Sequence, residues 1–261
     1  MKSLFSLKGR TALITGGSRG IGKMIAEGFL DYGATVYITS RKAADCNETA
    51  EKLSKHGTCV SIPQDVSTVA GCKELTEKYL GHEKALDILV NNAGAAWGAD
   101  FDEFPESGWD KTMNLNVKSL FFLTQSLHGA LKKAASADKP AKVINIASID
   151  GIRINPWETY AYQASKAAVI HLTRKLASRL IQDNICVSGI APGAFASEMN
   201  KSARDHGDDV AKMVPAKRIG RAEDMAGAAI FLASKAGDYV VGDTIAVDGG
   251  VAYSSFGHIA E

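Results

Sequence analysis

The chain has 261 residues, 46% of them hydrophobic, and 30 basic side chains against 29 acidic ones leave a net charge of +1. That size suits one large domain or two small ones, and so even a charge balance offers no global field for nucleic acid or an anionic membrane surface. Four scattered cysteines (Cys46, Cys59, Cys72, Cys186) and six dispersed histidines argue against a disulfide framework or a metal site, while the opening Met1-Lys2-Ser3-Leu4-Phe5 and the lack of any long apolar run argue against a secretory leader or a membrane span, so the expected location is the cytoplasm.

Thr11 to Thr15 reads as a buried strand, and 20–32 as a helix with Ile21, Met24, Ile25, Gly28 and Phe29 on one face. Between them runs Thr15-Gly16-Gly17-Ser18-Arg19-Gly20-Ile21-Gly22. This is the first strand-to-helix turn, where a phosphate-binding loop is expected. Gly16 permits the tight turn, Gly20 lets backbone approach a pyrophosphate, and Gly22 lets the helix pack closely on the strand. The helix N-terminus supplies free N–H groups for the anion. The alternative is an ordinary glycine-rich turn.

A second strand at 35–39 ends in Ser40-Arg41-Lys42. Folds that bind NAD often carry an Asp or Glu near this place to hold the ribose 2′-hydroxyl. Here there is none. Arg41, with Arg19 from the glycine loop, suits a 2′-phosphate through its planar guanidinium fork, so NADP(H) is expected over NAD(H). A helix follows over 43–55, then a third strand over 59–63. Asp65-Val66 comes next, with the Asp65 carboxylate placed either to accept a hydrogen bond from an adenine amino group or, with Ser67, to cap the next helix at 69–80. A fourth strand, 86–91, runs into Asn91-Asn92-Ala93-Gly94 at the carboxyl edge, where ligands bind in open α/β sheets. Gly94 permits close approach to a ribose.

One long helix is expected over 105–135, a fifth strand over 142–147 leading to Ser148, and an irregular stretch over 150–159. A helix over 161–182 carries Tyr162-Gln163-Ala164-Ser165-Lys166. The i, i+4 spacing puts phenol and ammonium on one face. A nearby ammonium lowers a phenol's pKa and makes it a usable general acid or base. Tyr160 is offset by six from Lys166 and falls on another face. A sixth strand spans 185–190. The polar segment 192–223 is interrupted by Gly and Pro and reads as a mobile lid, about 194–221. A helix over 224–233 and a seventh strand over 244–247 complete the chain. The strands are continuous Val/Ile/Leu runs covered on both faces. Strand–helix alternation throughout implies a parallel, doubly wound α/β sheet with right-handed crossovers.

In order and spacing these motifs resemble the short-chain dehydrogenase/reductase family over nearly the whole chain: the glycine loop at 15–22, Asp65, Asn91-Asn92-Ala93-Gly94, Ser148, Tyr162/Lys166, Pro192-Gly193 and Val247-Asp248-Gly249-Gly250. The resemblance implies one Rossmann-type domain with a seven-stranded parallel sheet and a homotetramer. By it, Tyr162 is the proton donor and acceptor, Lys166 lowers its pKa and binds the nicotinamide ribose, and Ser148 holds the substrate oxygen. The family also uses an Asn in the long helix. Asn114 and Asn116 are both present, and the spacing from Trp109 points to Asn116, which would hold a water linking Lys166 to solvent. Pro192, Gly193 and Phe195 would bind the nicotinamide carboxamide, with Ser197 where the family usually has Thr.

The chain is also similar to 3-oxoacyl-[acyl-carrier-protein] reductases, especially the rhamnolipid-type group, through Trp97-Gly98, Ser107-Gly108-Trp109 and the 136–140 loop. A 3-oxoacyl thioester is the expected substrate; another lipophilic ketone, a sugar, or cofactor binding without turnover are the alternatives. Acyl-carrier reductases tend to have a basic residue before the sixth strand, and here Asp183-Asn184 stands there, which leaves Lys132 and Lys133 as basic contacts for a carrier. Trp97, Ile152, Trp157, Phe195 and Met199 are candidates for an apolar substrate pocket.

Overall fold

A computed structural model describes residues 3–254; Met1 and Lys2 of the opening run lie outside it. Seven strands form one parallel sheet: β1 (Thr11–Thr15), β2 (Thr35–Thr39), β3 (Cys59–Ser61), β4 (Ile88–Asn91), β5 (Ala141–Ile146), β6 (Ile185–Pro192) and β7 (Thr244–Val247), in the order β3-β2-β1-β4-β5-β6-β7. β1 pairs with β2 on one side and β4 on the other. The winding reverses at that junction, and the crevice above it is where open α/β sheets bind ligands.

Side-chain alternation divides the core into two layers. Ile14, Ile38, Val90 and Ile190 pack under α1 (Gly20–Asp31), α2 (Ala43–Leu53) and the last helix, Ala222–Ala233. Leu13, Leu89, Val143 and Val187 pack under α3 (Val69–His82) and helices from the 119–180 region. Neighbours such as Leu13 and Ile14 serve opposite layers, which is why the strands read as unbroken apolar runs.

The expected long helix over 105–135 is instead four pieces: α4 (Glu106–Met113), a π turn (Asn114–Lys118), α5 (Ser119–Ser126) and α6 (His128–Ala134). The apolar periodicity survives the extra residue of a π turn, so the pattern reads as continuous. β3 ends at Ser61, shorter than expected, although Ile62 N and Gln64 N still donate to Ile38 O (2.9 Å) and Ser40 O (3.0 Å). β4 begins late because Leu86 instead donates to Ala130 O, 3.1 Å away. β6 runs two residues further than expected, with Pro192 paired to Val247. After α7 (Tyr160–Leu180) and β6, the segment read as irregular contains two short helices, α8 (Lys201–Asp205) and α9 (Gly207–Met213), before α10 (Ala222–Ala233). Among the described residues no helix is long and apolar enough to cross a membrane.

Candidate active site

The glycine loop and the end of β4 are tied together across the crevice. Thr15 Oγ1 accepts from the backbone N–H of Asn92 and of Ala93, each at 2.9 Å. Asn92 Nδ2 donates to Thr15 O at 2.8 Å and to Gly16 O at 3.2 Å. Gly16 and Gly20 have φ of +64° and +52°, the left-handed region that favours glycine. A Cβ on Gly22 would lie 2.4 Å from Gly16 O. The half-buried Ile21 packs against the core, and the Arg19 side chain makes no cap bond to the first turn of α1. The result is a strand–loop–helix cradle whose shape and N–H groups fit a dinucleotide pyrophosphate.

Arg19 and Arg41 are both exposed, and Thr49 of α2 ties the helix after Arg41 to the loop by donating to Ser18 O at 2.9 Å. Asp65 Oδ1 accepts from Ser67 N at 2.9 Å, beside the buried Val66. The cap of α3 is Thr68, whose Oγ1 accepts from Gly71 N at 3.0 Å, so Asp65 and Ser67 do not serve as that cap. From the other side, Ser197 comes down on the loop: a Cβ on Gly20 would be 3.3 Å from Ser197 Cβ. A cavity of about 420 Å³ lies between Ser18, Arg19, Gly20 and Lys23 on one wall and Ala196, Ser197 and Arg204 on the other. Pro192 is buried at the end of β6, and Gly193 N donates to Val247 O at 3.0 Å. Phe195 is buried with its ring over Gly220, closing the base of the 194–221 segment together with the bond from Gly220 N to Ala194 O (2.8 Å).

The catalytic candidates meet above β4 and β5. Tyr162 and Lys166 share one face of α7, with Lys166 Nζ 5.6 Å from the Tyr162 ring centroid. Lys166 is buried and donates to Ile146 O at 2.8 Å. Ser148 follows β5 directly, stands beside the Tyr162 phenol, and its Oγ accepts from Asp150 N at 3.1 Å. Asn116 sits in the π turn. Its side-chain amide accepts from Ala95 N (2.8 Å) and donates to Ala95 O and Ser165 Oγ (2.9 Å each), clamping the loop after β4 to α7. A Cβ on Gly94 would lie 3.2 Å from Asn116 Oδ1 and 3.8 Å from Lys166 Nζ, so only glycine leaves that corner open. Asn114 stays half-buried in the same turn. Tyr160 packs edge-on against Phe101 and Phe104, away from Ser148 and Lys166.

Burial dominates the electrostatics of the pair. It pushes the Tyr162 phenol up to about 12, with the Ser148 hydroxyl opposing and the Asp150 charge adding to the rise. It pushes Lys166 down to about 8, against the Asp150 charge. Burial and the Asp150 charge act in the direction opposite to the lowering expected from Lys166, and they leave the phenol above its ordinary value. Asp150 is itself raised by burial, opposed by the nearby Asn155 side chain and by the charges of Arg153 and Lys166.

Residues 16–252 match a family model described as enoyl-(acyl carrier protein) reductase. The chain belongs to the short-chain dehydrogenase/reductase family. It is 47% identical to the rhamnolipids biosynthesis 3-oxoacyl-[acyl-carrier-protein] reductase of Pseudomonas aeruginosa, over 96% of this chain and 99% of that one. It is 40% identical to the 2-dehydro-3-deoxy-D-gluconate 5-dehydrogenase of Dickeya dadantii, over 94% and 96%. The solved Pseudomonas aeruginosa RhlG/NADP active-site complex superposes with a TM-score of 0.94 at 47% identity, covering 97% of this chain and all of that one.

As a short-chain dehydrogenase/reductase the chain is a nicotinamide-dependent oxidoreductase. Two features of its site escape sequence reading. Asp150 carries no motif, although its place two residues after Ser148 was the available signal. The expected apolar pocket is redistributed: Trp157 lines a groove near the site, while Trp97 stacks on Gly108, Ile152 packs with Leu120 and Val169, Phe195 covers Gly220, and Met199 is exposed. Lys132 is paired with Asp183 at 2.9 Å, so its charge is already partnered. No group of three candidate metal ligands occurs among the described residues.

Proposed function

We propose that the protein is an NADP(H)-dependent reductase of a 3-oxoacyl thioester. The observation that carries this is the convergence of Ser148, Tyr162 and Lys166 beside the glycine cradle. The 47% relative supports the substrate class, and Arg41 and Arg19 at the cradle support the 2′-phosphate. In this reading Gly16, Ser18, Gly20 and Gly22 hold the pyrophosphate, Asp65 and Val66 the adenine, Asn92, Ala93 and Gly94 the ribose side, and Pro192, Gly193, Phe195 and Ser197 the nicotinamide end.

The cradle residues would hold NADPH, which would supply the hydride for the substrate carbonyl carbon. Ser148 and Tyr162 hold the carbonyl oxygen and stabilise the negative charge that develops there. Tyr162, raised above the ordinary phenol value by burial, enters the step protonated and donates that proton to the oxygen. The Lys166 ammonium, seated over the Tyr162 ring, stabilises the phenolate left behind. Asn116 fixes the loop after β4 against α7 at Ser165, next to Lys166 in the chain.

The chain acts here as a single domain, with 194–221 as a lid, in a homotetramer. The four free cysteines support a reducing compartment such as the cytoplasm. Of the two lysines that could meet an acidic carrier protein, Lys132 is taken up by Asp183 while Lys133 stays exposed, and the proposal names the thioester and not its carrier. A sugar-acid ketone, suggested by the gluconate 5-dehydrogenase relative, is the second reading.

NADPH oxidation with 3-oxoacyl thioesters and ketogluconates decides between them. Tyr162→Phe should cut thioester turnover at least about 10²-fold while NADPH binding stays within a few-fold. Near-normal turnover in that variant would reject the assignment, and turnover confined to ketogluconates would reject the substrate.

A further inference from the structure

We propose that the groove running outward from the catalytic serine's turn takes an uncharged alkyl tail, so that the enzyme selects substrates by chain length; this rests on the 3-oxoacyl reading above. The groove holds about 770 Å³ and its apolar wall is Phe101, Phe104, Trp109, Ile154, Trp157 and Tyr160. That volume lies within the range of small-molecule sites. Ile154 is 89% exposed, Phe101 71% and Trp157 61%. Large apolar side chains gathered on one concave surface mark a place that something covers.

Two segments build it: the 3₁₀ turn Phe101–Glu103 with the start of α4, and the 152–160 loop that feeds α7. They are pinned by the bond from Ala99 N to Glu158 O (3.2 Å) and by Phe101 and Phe104 edge-on to Tyr160 at 5.6 and 5.7 Å. The groove lies beside the catalytic centre, because the 152–160 loop that lines it joins the turn after Ser148 to the start of α7, which carries Tyr162. Gln163, the residue after Tyr162, lines it, and so does Asn155, whose Oδ1 accepts from Gln163 Nε2 at 3.1 Å. The tail of a substrate whose carbonyl is held by Ser148 and Tyr162 would follow that loop into the groove.

Charge narrows the occupant. Glu158 is the one charged residue on the lining, and Asp100 and Asp102 also act on the Tyr160 hydroxyl. An acidic rim repels the carboxylate of a sugar acid and leaves a neutral tail unopposed.

The test is kcat/KM for NADPH-dependent reduction of 3-oxoacyl N-acetylcysteamine thioesters with tails from about 4 to about 12 carbons. Partial burial of each methylene should raise kcat/KM about two- to threefold. Ile154→Ser and Trp157→Ser should flatten that slope. The slope is a ratio within one variant, so a general loss of activity does not mimic the effect. Sedimentation of the same variants reports assembly. Turnover of thioesters with a flat profile in the wild type overturns the groove and leaves the function standing. An unchanged slope in both variants, with or without loss of the oligomer, also overturns it, and dissociation at unchanged slope would identify a second copy of the chain as the occupant. Failure to reduce any thioester while another ketone is reduced overturns the function itself.

Discussion

Asp150 places a carboxyl beside both halves of the proton-transferring pair. The 3₁₀ turn that carries it presses on α7, where a Cβ on Gly151 would lie 2.5 Å from the Lys166 carbonyl carbon. The groups facing that carboxyl are Arg153 and Asn155 from its own loop and Lys166 and Tyr162 from α7. Lys166 titrates near 8 and the Asp150 charge holds it up from a lower value. Reduction should therefore proceed well below pH 8 and weaken as the pH rises through it, because the ammonium that stabilises the departing proton's phenolate is lost. Removing the carboxylate in Asp150→Asn lowers the Lys166 value further, so the alkaline limb moves to lower pH. The expected result is a loss of about three- to tenfold in kcat at pH about 8.5 with little change at pH about 6.5. A limb that stays in place would show that Asp150 is structural only. Tyr162 and Lys166 were legible in the sequence because helical geometry converts a spacing of four into a shared face. Asp150 was not, because its effect depends on a turn that no periodicity announces.

At the level of elements, the contact of α1 with α10 is set by a missing side chain. A Cβ on Gly28 would stand 2.6 Å from Ala226 Cβ, closer than two carbon atoms pack. Gly28→Val should force the helices apart and destabilise the fold by about 1–3 kcal/mol, read as a lower urea midpoint at unchanged slope. An unchanged midpoint would mean the helices have slack that the close approach does not suggest. The apolar face of α1 was visible in its 3.6-residue period, and the strands in their continuous branched-aliphatic runs. The break at 113–119 was invisible for a physical reason: a π turn adds one residue, keeps the backbone helical and leaves the apolar stripe nearly in register. What the turn changes is the side chain it presents, and Asn116 reaches both Ala95 and Ser165 from inside it. The spacing from Trp109 points to Asn116, a position that periodicity does not single out.

Across the whole molecule, the site is assembled from parts far apart in sequence by one topological event, the reversal of winding between β1 and β4. The glycine loop, the ends of β2 and β4, and the base of the 194–221 segment all face the same crevice, so a cofactor there ties both halves of the sheet together. Binding to the folded state alone stabilises by about 2.7 kcal/mol at a ligand concentration about 100 times Kd. For a chain of this size each kcal/mol moves Tm by about 2–4 °C, so NADPH should raise Tm by roughly 5–10 °C. The proposed role of Arg41 sets how much of that rise should belong to the 2′-phosphate. A charge-assisted hydrogen bond contributes about 1.5–3 kcal/mol, and losing it in Arg41→Ala weakens NADPH about 10- to 100-fold. At the same NADPH concentration the rise should shrink to roughly 1–5 °C and approach that given by NADH, whose effect has no phosphate to lose. Equal shifts with NADPH in wild type and variant would remove Arg41 from the cofactor site, and a larger shift with NADH than with NADPH in the wild type would reverse the cofactor preference itself.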